Sequence, residues 1–484
     1  MTKQFIFAVL LLFLLNISLF SQTSIHQIEY EAHRRIKKVL NKEMEQNIIP
    51  LKKTSKNLSH VIYGYLPDWE YQAARQYLRY DLLTHISAFD FVLDNKGNIS
   101  LPSYWPWTDV INAAHANGVK IIMTAVNFEA SYITALLTDT TIADNFINQA
   151  INIILLYDLD GVNIDFENVP TVNRGNDVNR FMLRLTNEIH SVLPDKEVSF
   201  AGPAVNWGGW DFRGLANSCD YIFIMGYDFY GSWSTNTGAS APLDPTAGSS
   251  ISIRNTIETQ YGAVTNNMPD KLILGVPYYG QRWSTVDSLP HSSIISYVSS
   301  TRFSTDAVNA SLYGTLWATD NKTPWYRFRS GTTWHQVWFD NDSSLSLKYK
   351  LAIDKKFKGV GMWALGYDGA RNELWNELKK NFYTEPSDYI NPISNEFYIN
   401  QNYPNPFNSQ TVITYSLKEK SDISLTVYDI LGREITCLVD ANQAAGEYTI
   451  QFNANQFKLS SGIYYYIFKT DHNIIQTKKM VYLK

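Results

Sequence analysis

The stretch LDGVNIDFEN, residues 159–168, alternates apolar residues with an amide and two acids. Its apolar residues fall at every second position, which is the two-residue period of a β-strand: Val162, Ile164 and Phe166. The other face of this strand carries three polar side chains: Asn163, Asp165 and Glu167. Burying carboxylates is costly unless something compensates for it. A strand that points two of them the same way therefore indicates a site with a chemical task.

This strand is the fourth of eight short apolar runs, and amphipathic segments separate several of them. The runs are residues 61–69, 85–93, 119–128, 159–167, 198–205, 221–229, 271–279 and 359–367. Eight strands with crossover connections over roughly 300 residues favour an α/β fold of the (β/α)8 TIM-barrel type over a doubly wound sheet. One connection is too long for a simple loop and alternates like a hairpin, so it predicts a small inserted β-rich lobe at about 283–345.

In such a barrel the odd-numbered residues of the fourth strand face the interior and rise toward the C-terminal mouth, where barrel enzymes hold their catalytic groups. Residues two apart on one strand lie about 6.5–7 Å apart at their Cα atoms. Burial and mutual repulsion should raise the pKa of one carboxyl, and a carboxyl that stays protonated near neutrality can act as a general acid. The alternative is that the acids only pair with basic residues inside the barrel, but the other predicted strands contain few of these.

Three motifs in this region resemble those of family 18 glycoside hydrolases, the chitinase family. DGVNIDFE (160–167) resembles the signature D-x-x-D-x-D-x-E, with Asn163 where the second Asp usually stands. MGYD (225–228) resembles the M-x-Y-D of the family, and Trp363 in GVGMWALGYD stands where the family places a Trp under the sugar. Because the motifs fall in order on the fourth, sixth and eighth runs, residues 59–383 are identified as a catalytic domain of this family.

The resemblance implies substrate-assisted, retaining hydrolysis of β-linked N-acetylglucosamine glycans. Glu167 would protonate the glycosidic oxygen, and the N-acetyl oxygen of the substrate would be the nucleophile. Asp165 would orient the N-acetyl N–H, Tyr227 would hydrogen-bond the same group, and Asp228 would hold sugar hydroxyls. The remaining substrate-binding candidates are Asn163, Met225, Trp363 and Tyr65, although Tyr65 and Trp69 are as readily explained by barrel packing. The resemblance implies no metal and no other cofactor.

The third run departs from the family pattern, because TAVN (124–127) stands where S-x-G-G is usual. Together with Asn163 this resembles the branch that contains spore-cortex and other peptidoglycan-acting members. The substrate therefore stays open between chitin or chitooligosaccharides, peptidoglycan and glycoprotein glycans. Outside the enzymes, the alternative is a non-catalytic chitin-binding lectin, but such relatives typically lose the acid that Glu167 supplies here.

Four further residues have weaker support. Asp160 has the opposite parity to the inward-facing set, which favours a structural hydrogen bond at the start of the strand. Three tryptophans in the loops after the fifth and sixth runs are candidates for extended subsites or for surface packing: Trp207, Trp210 and Trp233.

The N-terminus predicts export. Residues 1–22 combine a lysine, an apolar run and a small or polar end, which is typical of a signal peptide, with an uncleaved anchor as the alternative. The leader at 23–58 contains the charge-rich stretch HRRIKKVLNKEMEQ (33–46), which predicts an exposed helix or a loose segment. The net charge of −5 offers no basic surface for nucleic acid.

The C-terminus predicts a second domain. A linker rich in Pro, Asn and Ser (384–396) precedes alternating runs that are typical of a small all-β sandwich at 397–484. YPNPFN (403–408), VYDILGREI (427–435), SSGIYYYIF (460–468) and the terminal KKMVYLK resemble the type A sorting domain of the type IX secretion system of Bacteroidetes. A carbohydrate-binding module is the alternative, but such modules commonly expose Trp, and this region has none. We therefore expect a monomer that is secreted or held at the cell surface, reached through the periplasm and the type IX machinery.

Overall fold

The computed structural model describes residues 23–34, 47–54, 56–384, 397–402, 404–471 and 475–484. The predicted signal peptide, most of the charge-rich stretch 33–46 and nearly all of the predicted linker lie outside these residues. The chain divides into two compact units, Met1–Thr384 and Glu385–Lys484. No helix in the part of the chain described here has both the length and the apolar character needed to cross a membrane.

The first unit contains a closed barrel of parallel strands, which confirms the predicted (β/α)8 fold. The strands of the whole first unit are β1 (Val61–Pro67), β2 (His85–Leu93), β3 (Ile99–Ser100), β4 (Lys120–Asn127), β5 (Gly161–Phe166), β6 (Glu197–Pro203), β7 (Tyr221–Met225), β8 (Leu272–Pro277), β9 (Tyr279–Thr285), β10 (Ile294–Arg302), β11 (Leu316–Ala318), β12 (Thr323–Ser330), β13 (Thr333–Trp338) and β14 (Gly359–Trp363). The barrel runs β1-β14-β8-β7-β6-β5-β4-β2, and pairing of β2 with β1 closes it, while β3 adds an antiparallel edge to β2.

Helices cover the outside of the barrel and connect its strands. They are α1 (Ile25–His33), α2 (Tyr71–Ala74), α3 (Thr108–Ala116), α4 (Ala130–Thr138), α5 (Thr140–Leu156), α6 (Asn176–Val192), α7 (Phe212–Ser218), α8 (Ile253–Asn255), α9 (Gly262–Asn267), α10 (Phe303–Tyr313), α11 (Asp342–Asp354) and α12 (Glu373–Phe382). Two helices are exceptions: α10 packs against β9, β10 and β12, and α1 precedes the first strand and lies at the barrel mouth, as described below.

The predicted sixth run extends too far. β7 ends at Met225, so Tyr227 and Asp228 lie in the loop beyond it. Asp228 has a φ of 60°, a left-handed conformation that cannot continue a strand. The motif MGYD therefore spans the end of a strand and a tight turn, which aims its last two side chains across the mouth.

The inserted lobe is confirmed and begins slightly earlier than predicted. A five-stranded antiparallel sheet, ordered β10-β9-β13-β12-β11, occupies the connection between β8 and β14. β9 starts at Tyr279, two residues after β8 ends, so the chain passes from barrel to lobe without a long loop.

The barrel interior is polar as well as aromatic. The Tyr63 hydroxyl donates to Ser87 Oγ at 2.8 Å, and Ser87 Oγ lies 2.6 Å from Thr124 Oγ1. Buried hydroxyls are tolerated because they find such partners. Thr124, the first residue of the altered third-run motif, thus belongs to the interior hydrogen-bond network beneath the site.

Residues 25–33 belong to the predicted leader (23–58), within which an exposed helix or loose segment is predicted only for 33–46. They form α1, and its first two residues, Ile25 and His26, are fully buried against the barrel. Ser24 caps the helix by accepting the Gln27 N–H at 3.1 Å. The segment predicted as exposed or loose lies almost entirely outside the described residues and stays a prediction, whereas α1 is held by polar contacts and by the buried Ile25.

The second unit is a small β-sandwich, as predicted. Its strands are β15 (Tyr398–Ile399), β16 (Gln410–Leu417), β17 (Ser421–Asp429), β18 (Glu434–Gln443), β19 (Gly446–Asn453), β20 (Gly462–Thr470) and β21 (Ile475–Tyr482). They form a three-stranded sheet, β15-β16-β19, and a four-stranded sheet, β18-β17-β20-β21. A separate apolar core, which includes Leu425, Tyr466 and Phe468, lies between them.

Candidate active site

The polar face of β5 points into the barrel, as its alternation predicts. The Tyr65 hydroxyl donates to Asn163 Oδ1 at 2.8 Å, and Asn163 Nδ2 donates to Ser199 Oγ at 2.9 Å. Asp165, one step nearer the mouth, is fully buried, and its Oδ1 has no hydrogen-bond partner among the described residues. Asn163 therefore hydrogen-bonds across the barrel to Tyr65 on β1 and sideways to Ser199 on the neighbouring β6, so its amide braces the floor of the site.

Glu167 stands at the rim, directly after β5. Its backbone N–H donates to the Asn127 carbonyl at 3.1 Å, which holds the backbone at this residue against β4. The side chain is 9% exposed. Burial, together with the neighbouring charges of Asp165 and Asp228, raises the pKa of Glu167 well above its ordinary value, and a hydrogen bond with Ser24 opposes this only in part. The rim carboxyl is thus the one that favours its protonated form.

Tyr227 and Asp228 reach the same place from the loop after β7. Both are buried, and Met225 at the end of β7 is nearly so. The Tyr279 hydroxyl donates to Asp228 Oδ1. Burial raises the pKa of Asp228 to about 6, although hydrogen bonds from Tyr279 and the Ile25 N–H lower it.

Trp363 forms an aromatic wall at the end of β14. It is fully buried, and the ring of Phe89 meets it edge-on with centroids 4.9 Å apart. The ring of Tyr65 lies at 5.7 Å. The eight residues singled out from the sequence as site candidates are therefore gathered in and below the mouth of one barrel.

Other residues singled out from the sequence lie elsewhere or have other tasks. Asp160 is at the opposite end of β5, where its carboxylate accepts from the Ile121 N–H at 2.9 Å and contacts His115 at 3.0 Å and Lys196 at 3.3 Å. Its contacts fit the structural role expected for it. Trp207 is 59% exposed, while Trp210 and Trp233 are partly buried.

Helix α1 brings a residue into the site that the sequence analysis missed. His26 Nδ1 lies 2.7 Å from Asp165 Oδ2 and 3.4 Å from Glu167 Oε1, and Nε2 lies 2.8 Å from the Tyr227 hydroxyl. The imidazole stacks on Trp363 with centroids 3.7 Å apart and planes 27° apart. A sequence signal existed: four residues of one helical face recur at helical spacing just after the predicted signal peptide, His26, Glu29, Tyr30 and His33.

Helix α1 also brings a partly buried acid, Glu29, to the site. Its Oε2 accepts from the Tyr367 hydroxyl and from Trp363 Nε1, the latter at 3.3 Å. Burial raises the pKa of Glu29 to about 7, against the lowering effect of these bonds and of Arg302.

The ligand atoms of His26, Asp165 and Glu167 lie within 4.8 Å of one another, close enough to raise the question of a metal site. Zinc bound by nitrogen and oxygen at about 2.0–2.2 Å would hold tetrahedral ligand atoms more than about 3 Å apart. The His26–Asp165 contact of 2.7 Å is instead a hydrogen-bond distance. The arrangement therefore fits a hydrogen-bonded imidazole better than a ligand set.

Comparisons with known proteins agree with this architecture. Residues 61–368 match glycosyl hydrolases family 18, and residues 401–483 match a secretion system C-terminal sorting domain. The sorting domain indicates export through the type IX system found in Bacteroidetes.

Relatives of two kinds are similar in sequence. Di-N-acetylchitobiase of Homo sapiens is 26% identical over 302 residues, which is 55% of this chain and 74% of that protein. The cortical fragment-lytic enzyme of Bacillus subtilis (strain 168) is 24% identical over 334 residues, which is 64% of this chain and 72% of that protein.

Among solved structures, the chitinase of Rhizomucor miehei superposes with a TM-score of 0.58 at 23% identity, covering 66% of this chain and 99% of that one. This likeness shows the barrel fold. With a family match that spans most of the chain and the motif residues gathered at the barrel mouth, this protein belongs to glycosyl hydrolase family 18, as a chitinase-like glycoside hydrolase that carries a C-terminal secretion-sorting domain.

Proposed function

We propose that this protein is a secreted, retaining hydrolase of β-linked N-acetylglucosamine glycans, chitin or chitooligosaccharides, that uses the N-acetyl group of the substrate as its nucleophile. One observation carries the proposal: Asp165, Glu167 and Tyr227 all contact a single flat ring, which is stacked on Trp363. That ring is now His26. A pyranose in its place would have the same four neighbours.

In the proposed reaction, Glu167 gives its proton to the glycosidic oxygen as the bond to the anomeric carbon breaks. The substrate's N-acetyl oxygen attacks the anomeric carbon and closes an oxazolinium ring. Glu167, now a carboxylate, then takes a proton from the water that opens this ring, so the anomeric configuration is retained. The raised pKa of Glu167 supports its part, because a general acid must hold its proton near neutrality.

Asp165 and Tyr227 position the nucleophile. Asp165 accepts from the N-acetyl N–H and balances the positive charge that develops on the ring, while Tyr227 donates to the N-acetyl oxygen. Asp228 binds hydroxyls of the neighbouring sugar. The burial of Asp165 supports this assignment, since a carboxylate in a site of low dielectric stabilises nearby positive charge more strongly than one in water.

Asn163 supports the second candidate substrate, peptidoglycan. An Asp is usual at this position in the family, and the sequence is similar to that of a cortical fragment-lytic enzyme. The amide adds no charge to the cluster, so Asp165 has Glu167 and Asp228 as its acidic neighbours here. We keep glycoprotein glycans as a third candidate, and a non-catalytic lectin as the alternative outside enzymes.

We also propose the route of export. Residues 1–22 direct the chain to the periplasm, and the β-sandwich directs it across the outer membrane. The match of residues 401–483 to a secretion-sorting domain supports the second step.

Glu167→Gln tests the general acid. The amide keeps the shape of the side chain but has no proton to donate, so kcat on N-acetylchitooligosaccharides should fall by about 10²–10⁴-fold. Glu129→Gln is the matched control, because Glu129 is an exposed acid in the loop after β4 and should leave kcat unchanged. Near-normal turnover by the Glu167 variant would show that another group supplies the proton.

Asn163→Asp tests the coupling between the acids. A new carboxylate beside Asp165 adds like charge, which raises the pKa values of the cluster. The acidic limb of the kcat–pH profile, which reports groups in the enzyme–substrate complex, should therefore move to higher pH. Ser199→Ala removes the same hydrogen bond without adding charge and should leave the limb in place. An acidic limb that does not move in Asn163→Asp would contradict this account.

Deletion of residues 397–484 tests the sorting role. The source bacterium should accumulate the shortened protein in its periplasm, still folded, because the barrel has its own core. Cell fractionation with an antibody against the barrel measures this, with the full-length chain as control. Normal amounts outside the cell would show that the tail is not the export signal, and loss of binding to insoluble substrate would instead indicate a binding module.

A further inference from the structure

Helix α1 fills the place where the substrate is expected to bind. Ile25 and His26 are both fully buried. The Ile25 N–H donates to Asp228 Oδ2 at 2.6 Å, so the helix contacts even the carboxylate assigned to the neighbouring sugar. Helix α1 therefore contacts the mouth of the barrel, where the candidate catalytic residues lie, and not its outer wall.

The imidazole of His26 reproduces the contacts proposed for a sugar. It presents a flat face to Trp363 at 3.7 Å, one nitrogen to Asp165 and the other to Tyr227. Glu167 is within 3.4 Å of the same ring. A pyranose cannot bind at this position while the imidazole of His26 is there, because the imidazole covers the face of Trp363 on which the sugar would stack.

The rest of α1 continues along the mouth. Its residues contact loops that follow three different barrel strands. His33 stacks on Trp69 with centroids 4.6 Å apart and planes 4° apart, and Tyr30 lies 5.1 Å from Phe128. Gln27 Oε1 accepts from Asn168 at 2.9 Å. The helix therefore covers the cleft as well as the central position.

We propose that α1 is an autoinhibitory segment, so that the intact chain is latent and a glycan enters the site only after α1 has left it. The proposal rests on the proposed function in one respect, namely that the ring position on Trp363 is the sugar position. Polar contacts of His26 and Glu29 hold the helix in the site, together with the buried Ile25 and the stacked rings of α1.

An intramolecular competitor has a defined kinetic signature. It lowers the fraction of molecules that can bind substrate, so the apparent KM rises by the reciprocal of that fraction. Saturating substrate displaces α1, and kcat is unaffected. If α1 occupies the site in about 90% of molecules, the apparent KM is about tenfold above that of the open enzyme.

The test compares full-length chains on N-acetylchitooligosaccharides. The double variant His26→Ala/Glu29→Ala removes the two polar anchors and should lower the KM about tenfold with kcat changed less than about twofold. Glu31→Ala is the matched control, because Glu31 is an exposed acid of the same helix whose hydrogen bond is to Gln27 within α1. Ile25→Asp is a second route to the open state, since it sets a like charge against Asp228. An unchanged KM in both anchor variants would overturn the proposal.

A binding measurement separates this proposal from the proposed function. A synthetic peptide of residues 23–34 should bind the Ile25→Asp chain in calorimetry, and the same peptide with His26→Ala should not. If the peptide binds but no variant hydrolyses any N-acetylglucosamine glycan, the proposed substrate class is wrong, while the conclusion that α1 occupies the site is retained. Absence of peptide binding would overturn autoinhibition whatever the substrate is.

Discussion

Three carboxyl groups that are buried or nearly so share one barrel mouth: Asp165 and Glu167 face the His26 ring, and Asp228 faces the Ile25 N–H. Each is costly to bury as an anion, and their charges repel one another. Each carboxyl group meets this cost in a different way. Glu167 responds with a raised pKa and favours its proton, Asp228 has the Tyr279 hydroxyl, and Asp165 takes an imidazole nitrogen. When the position of the His26 ring is vacant, Asp165 lacks this hydrogen-bond donor and Trp363 lacks a flat group to stack on it.

The same constraint explains why two different occupants suit the site. An N-acetylated pyranose offers an N–H to Asp165, an acetyl oxygen to Tyr227 and an apolar ring face to Trp363. His26 offers two ring nitrogens and a flat face to the same three residues. Catalytic complementarity to a sugar and affinity for the N-terminal helix are thus two consequences of one arrangement of charge and aromatic surface, and competition between them follows.

Much of the fold could be predicted from local patterns. Alternation along residues 161–167 gave the inward-facing acids, because the two-residue period of a strand leaves no choice of face once the apolar side is buried. Asp160 was separated from the catalytic candidates by the same parity. The predicted end of the sixth strand lies too far along the chain, because nothing in the sequence MGYD indicates the left-handed conformation of Asp228.

The occupant of the site could not be predicted in the same way. α1 is short, and its apolar residues alternate with polar and charged ones, so neither hydrophobic periodicity nor length marked it as a buried element. Its burial depends on partners that are distant in sequence. Asp165 lies 139 residues from His26, and Trp363 lies 334 residues from Glu29. A histidine face at helical spacing was the available signal, and it acquires meaning only beside the carboxylates of the barrel.

The central claim is that the substrate supplies its own nucleophile, and the most direct test changes the substrate rather than the protein. Chitooligosaccharides of defined sequence would carry either N-acetylglucosamine or unacetylated glucosamine at the cleaved position, and the products would be identified by mass spectrometry. The account predicts cleavage after N-acetylglucosamine and none after glucosamine, because the amine lacks the acetyl oxygen that must attack the anomeric carbon. Equal cleavage after both sugars would contradict it and would make Asp165 a direct nucleophile.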